Sequence, residues 1–403
     1  QKKGWDVCLI SSSRERTQAF DFGKAQMFWL PPLHLVHPSA DPYKMSNLMT
    51  PNGLSLTEDA AYQSERSRSL LELFDRLQPQ AVITEMWPFA RANFDFELIP
   101  LAEKINSHFS QTIQLFAIAR DIMFPPALSC PDSTEARQDR HAIADRYFKE
   151  EHILVRGDHT VIPLEHSIGM LSEYTRKRIR YVGYFGQSGS SLPSRSNRLG
   201  DVLVTSGGGV TSDSLEMFEA CIRVRPRCHL ADRIWRILVP NSCPKAAFTR
   251  LKRLANDAEG LVIEQNRSDF IDLMKRSPLI ICHGGNTAIE ALAHQVPVLV
   301  IPREYAKNNR EQQIRAKALS DRGLVKTLRL SELFDASRFS ALIHETCQAS
   351  VGEIGMGLNG AEVAGDHITR LVLSGAPQKS SDEAPVDTLE MDLLSELALL
   401  QPG

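Results

Sequence analysis

The residues of this chain best suited to chemistry lie between Leu279 and Gln313. His283-Gly284-Gly285 follows the apolar run from Leu279 to Cys282. Asn286-Thr287 then opens a helix-forming stretch that carries Glu290 one turn in. A strand that empties through glycines into a helix is a ready anion site. The first backbone N–H groups of the helix have no partner inside it, and its dipole favours negative charge. Glu290 is then placed to accept hydrogen bonds from ribose hydroxyls while phosphates rest on the turn. Its neighbours Ala288, Ile289, Ala291, Leu292 and Ala293 are small or apolar. The helix is therefore packed, and a carboxylate on it needs hydrogen-bond partners. Anion, sugar and carboxylate together point to a nucleotide-sugar ligand. Further on, Arg303 suits either a diphosphate or an open surface, and Gln312 and Gln313 offer donors and acceptors for sugar hydroxyls.

A second glycine loop, Gly207-Gly208-Gly209 after Ser206, lies between a strand and a helix and would let backbone N–H groups approach a pyrophosphate. Ser212 stands where a dinucleotide fingerprint needs its third glycine, and no Gly-Lys-Ser/Thr follows. A tight β–α turn is the plainer reading of this loop alone. Its pairing with Gly284-Gly285 favours phosphate. His283 beside Cys282 has no further ligand at metal spacing, so no metal is expected. In the first half, Glu85 and Asp121 fall at the ends of apolar strands, where open α/β sheets bind ligands. Either could deprotonate a hydroxyl. The competing reading is structural, as Arg91–Glu85 or Arg120–Asp121 pairs. The basic run Arg176-Lys177-Arg178-Ile179-Arg180 suits a solvated turn or anionic headgroups.

The elements that must hold these residues alternate between strand and helix. Expected strands are 6–10, 27–30, 81–84, 113–119, 152–156, 201–205, 235–239, 261–264, 279–282 and 296–301. Expected helices are 62–77, 96–108, 133–149, 214–224, 245–258 and 361–373, besides the one opened by Asn286. This alternation marks α/β units on parallel sheets. Residues 31–52, rich in Pro and Met, read as a long loop over a cleft. The Ser/Gly/Pro-rich stretch 187–200 reads as a linker between an N-terminal domain (1–186) and a C-terminal domain (201–374), with a tail at 375–403. With 403 residues, 42% hydrophobic and 24% charged, the chain has room for two cores. A net charge of −3 gives no pull toward nucleic acid. Seven scattered cysteines without a C-x-x-C suit reduced thiols in the cytoplasm. No apolar run reaches the ~20 residues that span a bilayer.

HGGNTAIEALAHQVPVLVIP followed by EQQ resembles the donor-binding signature of the two-domain GT-B glycosyltransferases. The branch it resembles includes the N-acetylglucosaminyltransferase of peptidoglycan synthesis, through Thr287, Glu290, Pro297, Pro302, Gln312 and Gln313. The segments ITEMWPFARANFDFELIP, ARDI, YVGYFG, LVTSGGG and EQQIRAKALSDRGL are also similar to a group of predicted glycosyltransferases. The resemblance covers roughly residues 81–372. It implies an α/β chain of two Rossmann-like domains facing a cleft and a nucleotide-sugar donor, UDP-linked, as co-substrate with no other cofactor. The donor would contact Gly207, Gly208, Gly209, His283, Gly284, Gly285, Asn286, Thr287, Glu290 and Arg303. Phe270 and Ile271 would lie over uracil, and Gln312 and Gln313 beside the sugar. The acceptor, lipid-linked or polysaccharide, is left open, as is peripheral contact with the inner face of a membrane. The resemblance also implies that a first strand and Gly-rich loop precede this chain's opening residues. At the domain junction the branch carries an Arg where this chain has Tyr184-Phe185-Gly186. Two rival readings are a UDP-sugar 2-epimerase and a non-catalytic partner that binds a nucleotide sugar.

Overall fold

A computed structural model describes residues 4–12, 22–36, 45–109, 112–123, 134–186, 198–207, 209–255, 258–304, 311–349 and 357–375. The tail after residue 375 and most of the expected linker lie outside them. In chain order the first half holds β1 (Cys8–Ser11), β2 (Gln26–Trp29), β3 (His34–Leu35), β4 (Leu48–Met49), α1 (Ala60–Leu77), β5 (Ala81–Glu85), α2 (Asp95–His108), β6 (Gln114–Arg120), α3 (Thr134–Tyr147), β7 (Ile153–Arg156), α4 (Glu165–Ile168), α5 (Glu173–Lys177) and β8 (Ile179–Tyr181). The second half holds β9 (Val202–Thr205), α6 (Ser212–Val224), β10 (Trp235–Val239), α7 (Lys245–Ala255), β11 (Leu261–Gln265), α8 (Phe270–Arg276), β12 (Ile280–Cys282), α9 (Asn286–Ala293), β13 (Val298–Val300), α10 (Glu311–Asp321), β14 (Lys326–Thr327), α11 (Ala336–Gln348) and α12 (Gly360–Gly375).

Beside a short parallel pair, β1 with β2, two larger parallel sheets form with helices between successive strands. The first runs β5-β6-β7-β8 and the second β11-β10-β9-β12-β13-β14. Strands β9, β12 and β13 are buried at every residue. Their continuous Val/Leu/Ile runs are what a parallel sheet covered on both faces requires. The strand order of the second sheet reverses between β9 and β12, and such a switch point opens a crevice at the carboxyl ends of the strands. Thr205 and Cys282, the last residues of those two strands, are register partners. The Ser206–Gly209 loop and the His283–Gly285 turn therefore leave the sheet side by side.

Each sheet has its own core. Phe74, Trp87, Leu115 and Phe148 centre the first, and Met217, Phe218, Trp235 and Phe339 the second. A third cluster joins them: Ile122, Val161, Ile162 and Tyr184 pack with Ile289, Leu292 and Val296. Helix α12 crosses back onto the first sheet, where Ala364, Val363 and Ile368 meet Leu154 and Val182. The stretch read as one long loop at 31–52 contains an antiparallel pair, β3 with β4. Its apolar Leu35 and Leu48 pack with Leu56 and Tyr62 of the following segment. The basic run also differs from expectation, since Ile179 and Arg180 form the edge strand β8.

Candidate functional site

The turn after β12 is built around Gly284, at φ +76°; a Cβ there would stand 2.7 Å from Val300 Cγ1. Only glycine combines that backbone with that contact. Gly285 is the N-cap of α9 and supplies no side-chain cap, and the first turn carries no acidic residue. The helix is short because Gln295 turns left-handed (φ 53°) and Pro297 cannot continue it. Its packed face is apolar, and Asn286, Thr287 and Glu290 lie on the accessible side. Glu290 is half-buried, and its carboxylate makes no hydrogen bond or ion pair with any described residue. Burial raises its pKa above the usual carboxylate range. A desolvated carboxylate without a partner suits a ligand that brings hydroxyl donors.

Opposite, Gly207 turns at φ +76°, and the nearest atom to a Cβ placed there is Thr287 Oγ1, at 4.0 Å. A Cβ on Gly209 would meet nothing within 4 Å. Gly208 lies outside the described residues. What holds this loop is a polar hub. Arg303 donates through Nη2 to the carbonyls of Ser206 (3.2 Å) and Gly209 (2.8 Å) and approaches Ser214 Oγ (3.5 Å). The amide of Gly207 donates to Thr205 Oγ1 (3.2 Å), which fixes the start of the loop on the end of β9. Ser214 Oγ also accepts from Thr211 N at the start of α6. Gln312 Oε1 accepts from Arg303 N, and Gln313 Nε2 donates to Arg303 O.

Three of the donor-site expectations change in this light. Arg303 faces the loop carbonyls, not open crevice. His283 is 2% exposed, with Nδ1 2.6 Å from Ile301 O and Nε2 3.1 Å from Ser214 Oγ. Because a carbonyl can only accept, Nδ1 carries the proton and Nε2 accepts from the serine. Burial holds the ring's pKa down to about 4, so it is neutral and has no N–H to spare for a diphosphate. Gln312 and Gln313 each spend one amide atom clamping the Arg303 peptide. Phe270 and Ile271 open α8, both half-buried, with Phe270 packed against the interdomain cluster.

The first sheet faces this crevice with its own carboxyl ends. Glu85, 63% exposed at the side chain, lies 3.3 Å from Arg120 and 3.6 Å from Arg91. Asp121 pairs not with Arg120 but with Arg315 of α10: its oxygens lie 2.7 and 2.9 Å from Nη2 and Nε, and both side chains are under 5% exposed. Oδ1 also accepts from Ile122 N. With three donors on its oxygens and its side chain buried, Asp121 is closed to an acceptor hydroxyl. Glu85 remains the accessible carboxylate of the two.

Sequence reasoning missed Arg156. It ends β7, and its Nη2 donates to Asn286 Oδ1 (3.2 Å), placing a guanidinium at the mouth of α9 and 5.9 Å from the Phe185 ring. Burial, then the adjacent Arg120, disfavour its charge. The Tyr184-Phe185-Gly186 junction thus receives a cation from the neighbouring strand end. The register pairing of Arg120 with Arg156 was the signal, but it needs the sheet order to be seen. A small pocket is lined here by Asp121, Arg156, Tyr184, Asn286, Ile289 and Arg315. Among the described residues no group of three or more His, Cys, Asp or Glu could hold a metal ion, and no helix is long and apolar enough to cross a membrane.

Residues 245–346 match the glycosyltransferase family 28 C-terminal domain. That span runs from α7 into α11 and contains the Gly284 turn, Glu290 and the Gln pair. No curated protein matches the chain in sequence. Among solved structures, the chain is similar to Os79 from O. sativa in complex with UDP and deoxynivalenol-3-glucoside. The TM-score is 0.54, with 12% identity over 93% of this chain and 95% of that one. It is also similar to CalG4, the calicheamicin glycosyltransferase, with a TM-score of 0.51 and 14% identity over 93% and 88%. Acinetobacter baumannii MurG aligns at 13% identity over 93% and 92%, with a TM-score of 0.48 that carries no argument. At these identities the likeness shows the fold alone. The fold is of the two-domain GT-B kind, and residues 245–346 match the glycosyltransferase family 28 C-terminal domain.

Proposed function

We propose that this chain transfers a sugar from a nucleotide-sugar donor, a UDP-sugar, to an acceptor hydroxyl by direct, inverting, metal-independent displacement. The observation that carries the reading is the switch-point crevice. Two glycine turns leave β9 and β12 side by side, one opens helix α9 without a side-chain cap, and the half-buried Glu290 carboxylate, without a partner among the described residues, lies one turn below. In this reading the diphosphate rests on the two turns and the ribose hydroxyls donate to Glu290. The unspent amide atoms of Gln312 and Gln313 meet the sugar. Phe270 and Ile271 flank the base. The UDP bound in the Os79 structure is compatible with such a donor.

The acceptor hydroxyl attacks the anomeric carbon from the side of the first domain and gives its proton to a base. The nucleoside diphosphate leaves with an added negative charge. Fixed dipoles at the α9 N-terminus and the Arg156 guanidinium meet that charge without reorganising, which is how preorganised sites lower a barrier. Glu85 is the base this reading assigns. It ends β5, two strands from β7, and so about 10 Å across from the Arg156 strand end. That gap leaves room for a sugar ring and an attacking hydroxyl. The test is release of UDP from a panel of UDP-sugars with soluble and lipid-linked acceptors. Acceptor-dependent release with inverted product, lost in Glu85→Gln while UDP still binds, supports the assignment. Interconversion of the free UDP-sugar without acceptor would replace it with the epimerase reading.

A further inference from the structure

The Asp121–Arg315 pair joins residues 194 positions apart, one at the carboxyl end of β6 in the first sheet and the other in α10 of the second half. It is almost wholly buried and bidentate. Buried ion pairs of this kind add little net stability over an apolar packing, and their best-attested use is to fix one arrangement over others. Here the arrangement is that of the two domains. The seat is also shaped for it. A Cβ on Gly157, the residue after β7, would stand 2.8 Å from Asp121 Cβ, so a glycine there lets the aspartate lie in place.

Arg315 does more than bridge. Its Nη1 donates to the carbonyl of Gly284 (3.2 Å), the left-handed residue immediately before the N-cap of α9, and its Nη2 also reaches Glu311 Oε1 (2.8 Å). The first turn of the same helix carries Gln312 and Gln313, which clamp Arg303, which in turn holds the carbonyls of Ser206 and Gly209. A continuous set of polar contacts therefore runs from a carboxylate of the first domain to both glycine loops of the second.

We infer that Asp121 and Arg315 are positioning residues: a latch that sets the width of the interdomain cleft and, through the Gly284 carbonyl, aims the α9 N-terminus at the donor's diphosphate. The donor part of this inference rests on the reading above, whereas the cleft-width part does not. Contact along a path is not itself coupling, so the test must separate positioning from mere support. The native chain, Asp121→Asn, the double variant Asp121→Asn/Arg315→Gln, and Gly157→Ala are compared by thermal melting, small-angle scattering and UDP calorimetry. Asp121→Asn leaves the buried guanidinium with Glu311 but without its bidentate carboxylate and should lower the melting temperature. The double variant removes the guanidinium as well and should regain part of that loss, yet show a larger radius of gyration and at least tenfold weaker UDP binding. Gly157→Ala displaces Asp121 with both charges intact and should give the same two changes. Native scattering together with UDP affinity within twofold of native, in both the double variant and Gly157→Ala, would overturn the latch. If the native chain binds no UDP, the donor reading fails, and the scattering comparison alone decides the latch.

Discussion

Acidification should destabilise this protein through a histidine buried between Ile301 and Ser214. His283 is 2% exposed, and its folded pKa is pushed down to about 4 by burial, against 6.5 when unfolded. Between those values the unfolded chain binds a proton that the folded chain excludes. Stability is therefore complete above pH 6.5 and falls as pH drops toward 4. From pH 7 to pH 5 the loss from this one ring is about 2 kcal/mol. His152, stacked on Phe116 and also held down to about 4 by burial, adds a loss of the same sign. Denaturant unfolding at pH 7 and pH 5 would measure the sum. His283→Asn keeps a donor toward Ile301 O but cannot titrate. Its pH 7-to-5 loss should be smaller than that of the native chain by about 2 kcal/mol, with His152 still contributing. An identical loss in the two proteins would refute the claim that His283 is buried neutral with both nitrogens engaged.

Further predictions come from the same contacts. Arg303→Ala strips a charged donor from two loop carbonyls, Ser206 among the buried residues. It should cost about 2–4 kcal/mol in unfolding free energy and weaken UDP binding as the loop relaxes. Glu290→Gln should act in opposite directions on two readouts. Removing a desolvated charge with no described partner raises the melting temperature of the free protein, while UDP affinity falls. A variant destabilised in the free state would show that the carboxylate already had a partner. Arg156→Ala should weaken UDP by about 10- to 100-fold, the worth of a charge-assisted contact, and leave uridine binding unchanged. Equal losses for both would place Arg156 away from the diphosphate.

How much of this was legible in the residues depends on range. Strand β10 runs over the residues expected, Trp235–Val239, and α9 opens at Asn286, since apolar runs, glycines and a following Pro are local signals. The glycine pair at 284–285 and the exposed side of α9 could be read the same way. Roles set by distant partners could not. His283 looked like a donor to phosphate, but Ile301 O and Ser214 Oγ consume both nitrogens, and Ser214 lies 69 residues away. Asp121 looked like a base beside Arg120, yet its partner is Arg315 across the domain boundary. Arg156 gave no sequence signal because its value comes from standing next to Arg120 on a neighbouring strand and opposite Asn286. The small pair of β3 and β4 was hidden by its two-residue strands, too short to show an alternating period.

The most direct test of the donor site is calorimetric titration of the full chain with UDP, with GDP and ADP as controls, repeated on Glu290→Ala. The account predicts selective UDP binding that weakens at least tenfold in the variant while its melting temperature is maintained. No binding of any nucleotide, or UDP affinity unchanged by Glu290→Ala, would contradict it.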